Sequence, residues 1–546
     1  MDRVARSITV ASIAVTLIIT PWLNVDSMII PKVIVLVISA SYIVPSLFVI
    51  IKNNLRKTDR LLQITLVCIV LIIIQMILVM VFTESPFEQQ FFGKTGRGLG
   101  FLTYFSLLIL FTTSIFVFQR SSITMLCNGL IYSSFLTSIY SIFQNYGIDV
   151  FNWTTRTNGI IGTIGNPNFQ STFAAVALLT SFIFYNHMSI YKKIFALLNV
   201  LVSLYTVYLC QSWQGYALVL LGLIIFIVQY LWYRSKVIFS VSSVLIVLAS
   251  VPILLGMIKM GPLSDLLYKY SVKSRGEMWR SSFSASKDNP IFGVGLDSFG
   301  DYSLKYRNPI DIGGVNEFTD NSHNYYLEFS TTGGIALLLL NLILVAVVFY
   351  SIIKIVRRNN RFDPLTATLF SIWSCQIAQS VISPASIPLL IWNYVLSGAL
   401  IGLASQINFE FSPIISKSTR LNNNLLYMRF IFVVASIVLL YPYFNVDRLY
   451  LTASRSGDGL LAVRVAQMYP ESVLRYQKIG RELLDSKLYE QALEVSRSAA
   501  KFNPNSFSAW ALILANERAS DFERKRALQE IKRIDPLNPE IKALKL

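Results

Sequence analysis

The stretch LLQITLVCIVLIIIQMILVMVF, at residues 61–82, decides the fold class. It contains no charged side chain. As an α-helix it would be about 33 Å long, and the hydrocarbon core of a membrane is about 30 Å thick. The stretch therefore predicts a helix that crosses a membrane.

Comparable apolar runs recur along the first 445 residues. The chain is 54% hydrophobic and 14% charged, whereas soluble domains are about 25% charged. The first run is followed by Pro21-Trp22-Leu23 rather than by a small-residue cleavage site, so we interpret it as a span and not as a signal peptide. Thirteen spans are predicted, near residues 8–20, 29–51, 61–82, 99–118, 122–145, 170–186, 191–209, 214–232, 237–257, 325–353, 364–382, 387–405 and 428–444.

The predicted fold is therefore all-α. It is a polytopic membrane helix bundle of about 12–13 spans over residues 1–445, followed by a helical domain at 446–546.

Basic residues alternate between the loops. The basic loops carry Arg3 and Arg6; Lys52, Arg56, Lys57 and Arg60; Arg120; Lys192 and Lys193; Arg234 and Lys236; Lys354, Arg357, Arg358 and Arg361; and Lys417 and Arg420. The short loops between them are nearly free of Lys and Arg, which predicts that the basic set is cytoplasmic. The net charge of +17 is explained in this way rather than by nucleic-acid binding.

Three long loops fall on the opposite, outer side, at about 83–98, 146–169 and 258–324. Long loops in a compact protein are often functional. The third contains aromatic residues and Gly turns, so it is predicted to fold. With an odd number of spans, the C-terminal tail is also predicted to be outside.

The tail contains a repeated pattern from about residue 449. The turns Tyr469-Pro470-Glu471-Ser472, Asn503-Pro504-Asn505-Ser506 and Asp535-Pro536-Leu537-Asn538 recur at nearly constant spacing. This resembles tetratricopeptide helix pairs, whose repeat is about 34 residues; an ordinary helical hairpin domain is the alternative. Two to two and a half units are few for a free solenoid, so we expect the tail to lean on the membrane domain. Its predicted role is protein contact or bracing.

The chain has only two histidines. His187 lies beside a basic loop and is interpreted as a solvated residue. His323 lies where the largest outer loop enters a span, within the stretch DNSHNYYLE at 320–328. A neutral imidazole there is suited to accepting a proton from a hydroxyl near pH 7, although a structural role at a helix start is the alternative.

Several arginines lie in the predicted outer loops, namely Arg97, Arg156, Arg275, Arg280 and Arg307. Positive residues on the translocated side run against the topology bias. Because guanidinium binds phosphate oxygens in a bidentate fork, these residues are candidate phosphate ligands. For Arg97 and Arg307, ordinary solvated loop charge is an equal alternative.

Metal and cofactor chemistry are not predicted. The outer loops contain no Asp-x-Asp pair and no clustered carboxylates in the sequence, and no P-loop or Gly-x-Ser-x-Gly turn occurs. The four cysteines, Cys68, Cys127, Cys210 and Cys375, lie in or beside apolar runs without metal-type spacing.

Four segments together resemble the O-antigen ligase and Wzy-type polymerase superfamily of bacterial surface-polysaccharide enzymes, over roughly residues 90–405. They are Arg156 with Gly162-Thr163 and Gly165-Asn166-Pro167-Asn168; Arg275-Gly276-Glu277-Met278-Trp279 with Asn289-Pro290, Gly293, Gly295 and Phe299; His323-Asn324 with Gly334; and Pro384, Pro388 and Trp392-Asn393. Two positions depart from the pattern. Many members have Ser-Arg-Gly where this chain has Ser212-Trp213-Gln214-Gly215, and the ligase pattern differs at Leu337.

The resemblance implies a metal-independent, inverting GT-C-type glycosyltransferase in the bacterial plasma membrane. Its donor would be a glycan on an undecaprenyl-pyrophosphate carrier at the outer face. Arg156 and Arg275 would hold the pyrophosphate, and His323 would orient or deprotonate the acceptor hydroxyl. Arg280, Asn324, Arg97 and Arg307 complete the predicted substrate-binding set.

The acceptor stays open. A polymerase joins repeat units, whereas a ligase transfers the glycan to lipid, a wall polymer or protein, and a protein oligosaccharyltransferase belongs to the same superfamily. A flippase of lipid-linked sugars is a separate alternative, but it should show charges within its spans and inverted repeats. Thirteen spans are excessive for an anchor of an outer scaffold. The expected partners are the donor, the acceptor, membrane lipids and a protein bound to the tail, without nucleic acid.

Overall fold

The computed structural model describes residues 2–54, 58–149, 151, 159–185, 189–311, 319–405 and 419–544. These residues form 23 α-helices and no strand, which confirms the all-α prediction. Five basic or histidine residues named above lie outside the described ranges, namely Arg56, Lys57, Arg156, His187 and Lys417.

The membrane bundle and its loops contain seventeen of these helices. They are α1 Asp2–Leu17, α2 Ile30–Asn54, α3 Arg60–Phe82, α4 Phe87–Phe92, α5 Phe101–Val117, α6 Ile123–Asn145, α7 Pro167–Thr180, α8 Ile190–Leu209, α9 Trp213–Arg234, α10 Lys236–Met257, α11 Ser264–Leu267, α12 Tyr270–Asp288, α13 Phe299–Tyr302, α14 Tyr325–Arg358, α15 Pro364–Ile382, α16 Ile387–Ser405 and α17 Thr419–Ser456. The tail contains α18 Gly459–Ala466, α19 Val473–Asp485, α20 Tyr489–Phe502, α21 Phe507–Ala515, α22 Asp521–Ile534 and α23 Pro539–Ala543.

Ten of the described helices are long and apolar enough to cross a membrane, which makes this a multi-pass membrane protein. The other three predicted spans correspond to α1, α5 and α7, which have 16, 17 and 14 residues. In α5 and α7 nearly every side chain is buried by neighbouring helices. An apolar sequence predicts that a helix is shielded from water, either by lipid or by neighbouring protein. It does not show whether the helix is long enough to cross a membrane.

Helix α14, which corresponds to the predicted span at 325–353, has a break near its start. Gly334 has φ +82° and ψ 170°, which are not helical. The Asn289–Gly295 loop fills the break: the Ile335 N–H donates to the Pro290 carbonyl at 2.8 Å and the Val294 N–H to Thr331 at 2.9 Å. A Cβ at Gly334 would collide with the Ile291 carbonyl. The first turns of α14 are therefore fixed to the Asn289–Gly295 loop.

The tail packs on the third of the long loops that the sequence predicts to be outer. Helix α17 runs for 38 residues without a break at the predicted 445/446 boundary. Leu304, from the third loop, is buried in the hydrophobic core of the tail. Asn503 donates to the Asp301 carboxylate at 2.9 Å, and Asn505 donates to the Tyr302 hydroxyl at 3.0 Å. These contacts agree with bracing; the tetratricopeptide assignment and the domain boundary stay predictions.

Candidate active site

Two of the loops predicted to be outer, the first at about 83–98 and the third at about 258–324, form one interlocked structure. The Ser85 hydroxyl donates to the Val294 carbonyl at 2.6 Å, and Gln89 donates to Ser298 at 3.0 Å and to the Asp301 carboxylate at 2.8 Å. The two loops are far apart in sequence, yet they share buried polar contacts. Such contacts fix the loops relative to each other, since breaking them would leave buried polar groups without partners.

Arg97 is the charged centre of this structure. Its Nε lies 3.2 Å from the Asp297 carboxylate and its Nη2 lies 3.3 Å from that of Glu328, while Nη1 donates to the Asp320 carbonyl. Burial alone would lower the pKa of Arg97, but the two carboxylates raise it above its ordinary value. Burial raises the pKa of Asp297 to about 6, against the lowering effect of Arg97. The sequence missed this cluster because its acids lie far apart along the chain.

His323 lies directly before α14 in a left-handed backbone conformation, with φ +47°. Its N–H donates to the Asn321 side chain at 2.8 Å, and the preceding N–H, of Ser322, donates to the Glu328 carboxylate at 2.6 Å. Asn324 caps α14 by accepting from the N–H groups of its first turn. Burial lowers the pKa of His323 to about 4, with the positive charge of Arg275 contributing. The imidazole is therefore neutral at pH 7.

Arg275 projects from α12 and differs from the other described arginines predicted for the site. Its Nε donates to the Ile382 carbonyl at 2.8 Å and its Nη1 to the Ser271 carbonyl at 3.1 Å. Within the described part of the chain, no carboxylate forms an ion pair with it. Burial lowers its pKa, which reflects the cost of holding this cation away from water.

The other described arginines predicted for the site are each paired with an acid. Arg280 forms a two-point contact with Asp311, in which Nε donates to the carboxylate at 2.9 Å. Arg307 lies 3.6 Å from the carboxylate of Asp535 in the tail. Because these charges already have counterions, Arg275 is the described site arginine that is best able to accept an added anion.

The other motifs converge on the same end of the bundle. The Ser212 hydroxyl donates to the Asn168 side chain at 2.7 Å, which joins the Gly-Asn-Pro-Asn motif to the start of α9. The first turn of α9 carries Gln214, which accepts from Gln379 at 3.1 Å and from Ser383 at 3.2 Å. These two residues flank the carbonyl that Arg275 contacts. In the segment where the resemblance leads one to expect an arginine, this chain therefore has a buried neutral network around Gln214.

Arg156 lies outside the described residues. The described part of its motif packs on α1, where Thr163 donates to the Thr16 carbonyl at 2.9 Å. Trp392, from the fourth motif, donates to the hydroxyl of the same Thr16 at 2.8 Å. The first and fourth motifs thus meet at the end of α1.

A protein-family model described as O-antigen ligase matches residues 198–342. The match runs from α8 into α14, includes Arg275, Arg280, Arg307 and His323, and supports the superfamily resemblance. A match of this kind suggests ligase or polymerase activity in surface-glycan assembly. A search of curated proteins finds no match.

Proposed function

We propose that the protein transfers a glycan from an undecaprenyl-pyrophosphate carrier to an acceptor hydroxyl on the outer face of a bacterial plasma membrane. The observation that carries this proposal is Arg275, a partly buried arginine without an acidic partner among the described residues, whose charge acts on the neutral imidazole of His323. A cation for a pyrophosphate and a base for a hydroxyl are the two groups that this reaction requires.

In the proposed step the acceptor oxygen attacks the anomeric carbon, and the bond from that carbon to the pyrophosphate oxygen breaks. The hydroxyl proton passes to the imidazole of His323, and undecaprenyl pyrophosphate leaves with the electron pair. Charge increases on the leaving group as the bond breaks, so a fixed guanidinium at Arg275 stabilises the transition state more than the bound donor. Arg156 would supply a second cation.

Arg280, Arg307 and Asn324 take supporting roles in this proposal. The first two already pair with Asp311 and Asp535, and Asn324 caps the helix that carries the base. They shape the loops around the glycan rather than neutralise the pyrophosphate. The tail, which packs on the same loops, is proposed to lie outside as well. Glycan, lipid, wall polymer and protein all remain candidate acceptors, and the flippase alternative gains no specific support from these contacts.

Purified protein in liposomes should be incubated with an undecaprenyl-pyrophosphate glycan and, separately, with each class of acceptor. The proposal expects a glycosylated product and the release of undecaprenyl pyrophosphate without added metal. Growth of the donor glycan would identify a polymerase, and modification of one added acceptor would identify a ligase. Movement of the donor across the bilayer without release of the carrier would instead identify a flippase.

The pH dependence of transfer should separate the free protein from its donor complex. The acid limb of kcat/KM reports the free enzyme. We expect kcat/KM to decrease as the pH is lowered through about 4, the lowered pKa of His323. The acid limb of kcat reports the donor complex and should lie at higher pH. The reason is that the bound pyrophosphate offsets the positive charge of Arg275. This favours the imidazolium form of His323 and raises the pKa of His323.

Steady-state rates over a range of pH test this, in buffers of constant ionic strength. If the acid limbs of kcat and kcat/KM lie at the same pH, the proposal that the pyrophosphate binds close to His323 is contradicted.

A further inference from the structure

We propose that Glu328 and Asp297, joined by Arg97, are positioning residues that hold His323 in its working orientation. This inference rests on the proposed function, because it concerns the same transfer site. It also changes the role expected for Arg97. Instead of binding pyrophosphate, Arg97 links Asp297 to Glu328, and the three side chains together form a support for His323.

Glu328 connects the support to the histidine loop. One carboxylate oxygen lies 3.3 Å from Arg97, and the other accepts the N–H of Ser322 at 2.6 Å. The next residue is His323, whose φ of +47° is uncommon for a residue with a side chain. Such a conformation persists only where surrounding contacts impose it. The contact between Glu328 and Ser322 fixes the Asn321–Ser322 peptide unit, one residue before this strained position, and the Asn321 side chain in turn accepts the N–H of His323.

Arg97 is poorly suited to bind an additional anion. Its side chain is 9% exposed, and it lies between the carboxylates of Asp297 and Glu328, which are 0% and 11% exposed. Two buried negative charges already surround one positive charge. A pyrophosphate would have to displace one of these carboxylates, and the displaced group would lose its counterion. The geometry therefore favours an internal role for Arg97 and leaves the donor to Arg275.

Asp297 fixes the other end of the support. Its carboxylate accepts the N–H of Lys94 at 2.8 Å and that of Leu99 at 3.1 Å, which closes the turn that carries Arg97. Further along the same loop, Asp301 accepts from Asn503 of the tail. The support thus extends from the histidine loop through two outer loops to the docked tail.

The first test is the kinetics of Glu328→Gln. The amide oxygen retains an acceptor for the Ser322 N–H, but the substitution removes the negative charge opposite Arg97. We expect kcat to fall by about 100-fold, the loss associated with a misplacement of about 1 Å, while the KM for the donor changes less than about twofold. Asp288→Asn is the matched control, because it makes the same acid-to-amide change at an exposed position on α12. It should leave both constants unchanged.

A double-mutant comparison then distinguishes positioning from general stability. If Glu328 acts through His323, Glu328→Gln should cost no further activity in a His323→Ala background. The proposal would be overturned if Glu328→Gln caused its full loss of activity in the His323→Ala background as well. It would also be overturned if Glu328→Gln raised the KM for the donor and left kcat unchanged. Asp297→Asn serves as a second variant in case Glu328→Gln does not accumulate in the membrane.

A measurement without transfer activity separates this inference from the proposed function. Since the chain has two histidines, a His187→Gln protein retains His323 alone. Its modification by diethyl pyrocarbonate, followed by mass spectrometry, should be slow in that protein, faster with Glu328→Gln and unchanged with Asp288→Asn. Equal rates in all three would refute the positioning role whatever the enzyme transfers. If Glu328→Gln makes the modification faster but the parent protein shows no transferase activity, the proposed function is refuted and the positioning role is not.

Discussion

Replacement of His323 by alanine is expected to reduce glycan transfer by about 100- to 10,000-fold, the usual contribution of a general base. The reason is specific to this site. Burial and Arg275 lower the pKa of His323 to about 4, so the side chain is an unprotonated base at neutral pH. Bound pyrophosphate would raise its basicity at the moment when the acceptor hydroxyl must lose its proton.

The measurement is product formation by purified protein, together with polymer output in cells that contain equal amounts of each variant. His187→Ala is the matched control, since it removes the only other histidine, which the sequence predicts to be a solvated loop residue on the opposite side of the membrane. Normal polymer output from a stably inserted His323→Ala protein would exclude His323 as the base.

The sequence predicted the class of fold because membrane insertion depends on a local property. A run such as 61–82 contains its own evidence for a span. The break in α14 was not predictable in the same way. Gly334 has an unusual backbone conformation because the Asn289–Gly295 loop, which precedes α14 in the chain, donates and accepts hydrogen bonds within that helix. A single glycine in an apolar run does not reveal such a distant partner.

The same limit applies to the candidate site. His323 and the arginines were recognisable from residue type and position, but the sequence could not distinguish between the arginines. Their partners decide their roles: Arg97 meets two acids, Asp297 and Glu328, that are remote from it in sequence, whereas Arg275 meets backbone carbonyls. No local pattern records such pairings, so the support around Arg97 became visible only in the folded chain.

Arg275→Ala is expected to reduce kcat/KM by about 100- to 1,000-fold. Loss of one fixed donor to a developing negative charge costs about 3–4 kcal/mol, and each factor of ten in rate corresponds to about 1.4 kcal/mol. The Ile382 carbonyl orients this guanidinium, and no carboxylate among the described residues forms an ion pair with it. The alanine variant should still insert, because Arg275 lies on the loop helix α12 and not within a predicted span.

Arg275→Lys tests what the arginine does there. A lysine keeps the charge but cannot both donate to the Ile382 carbonyl and present two parallel N–H groups to a phosphate. We therefore expect this variant to lose most of the activity that alanine loses, whereas Lys273→Ala, at an exposed position on the same helix, should be nearly neutral. Rates measured at several donor concentrations separate binding from catalysis. A fully active Arg275→Lys protein would mean that the side chain only anchors α12 at the membrane surface, since an anchor requires a positive charge without the geometry of a fork.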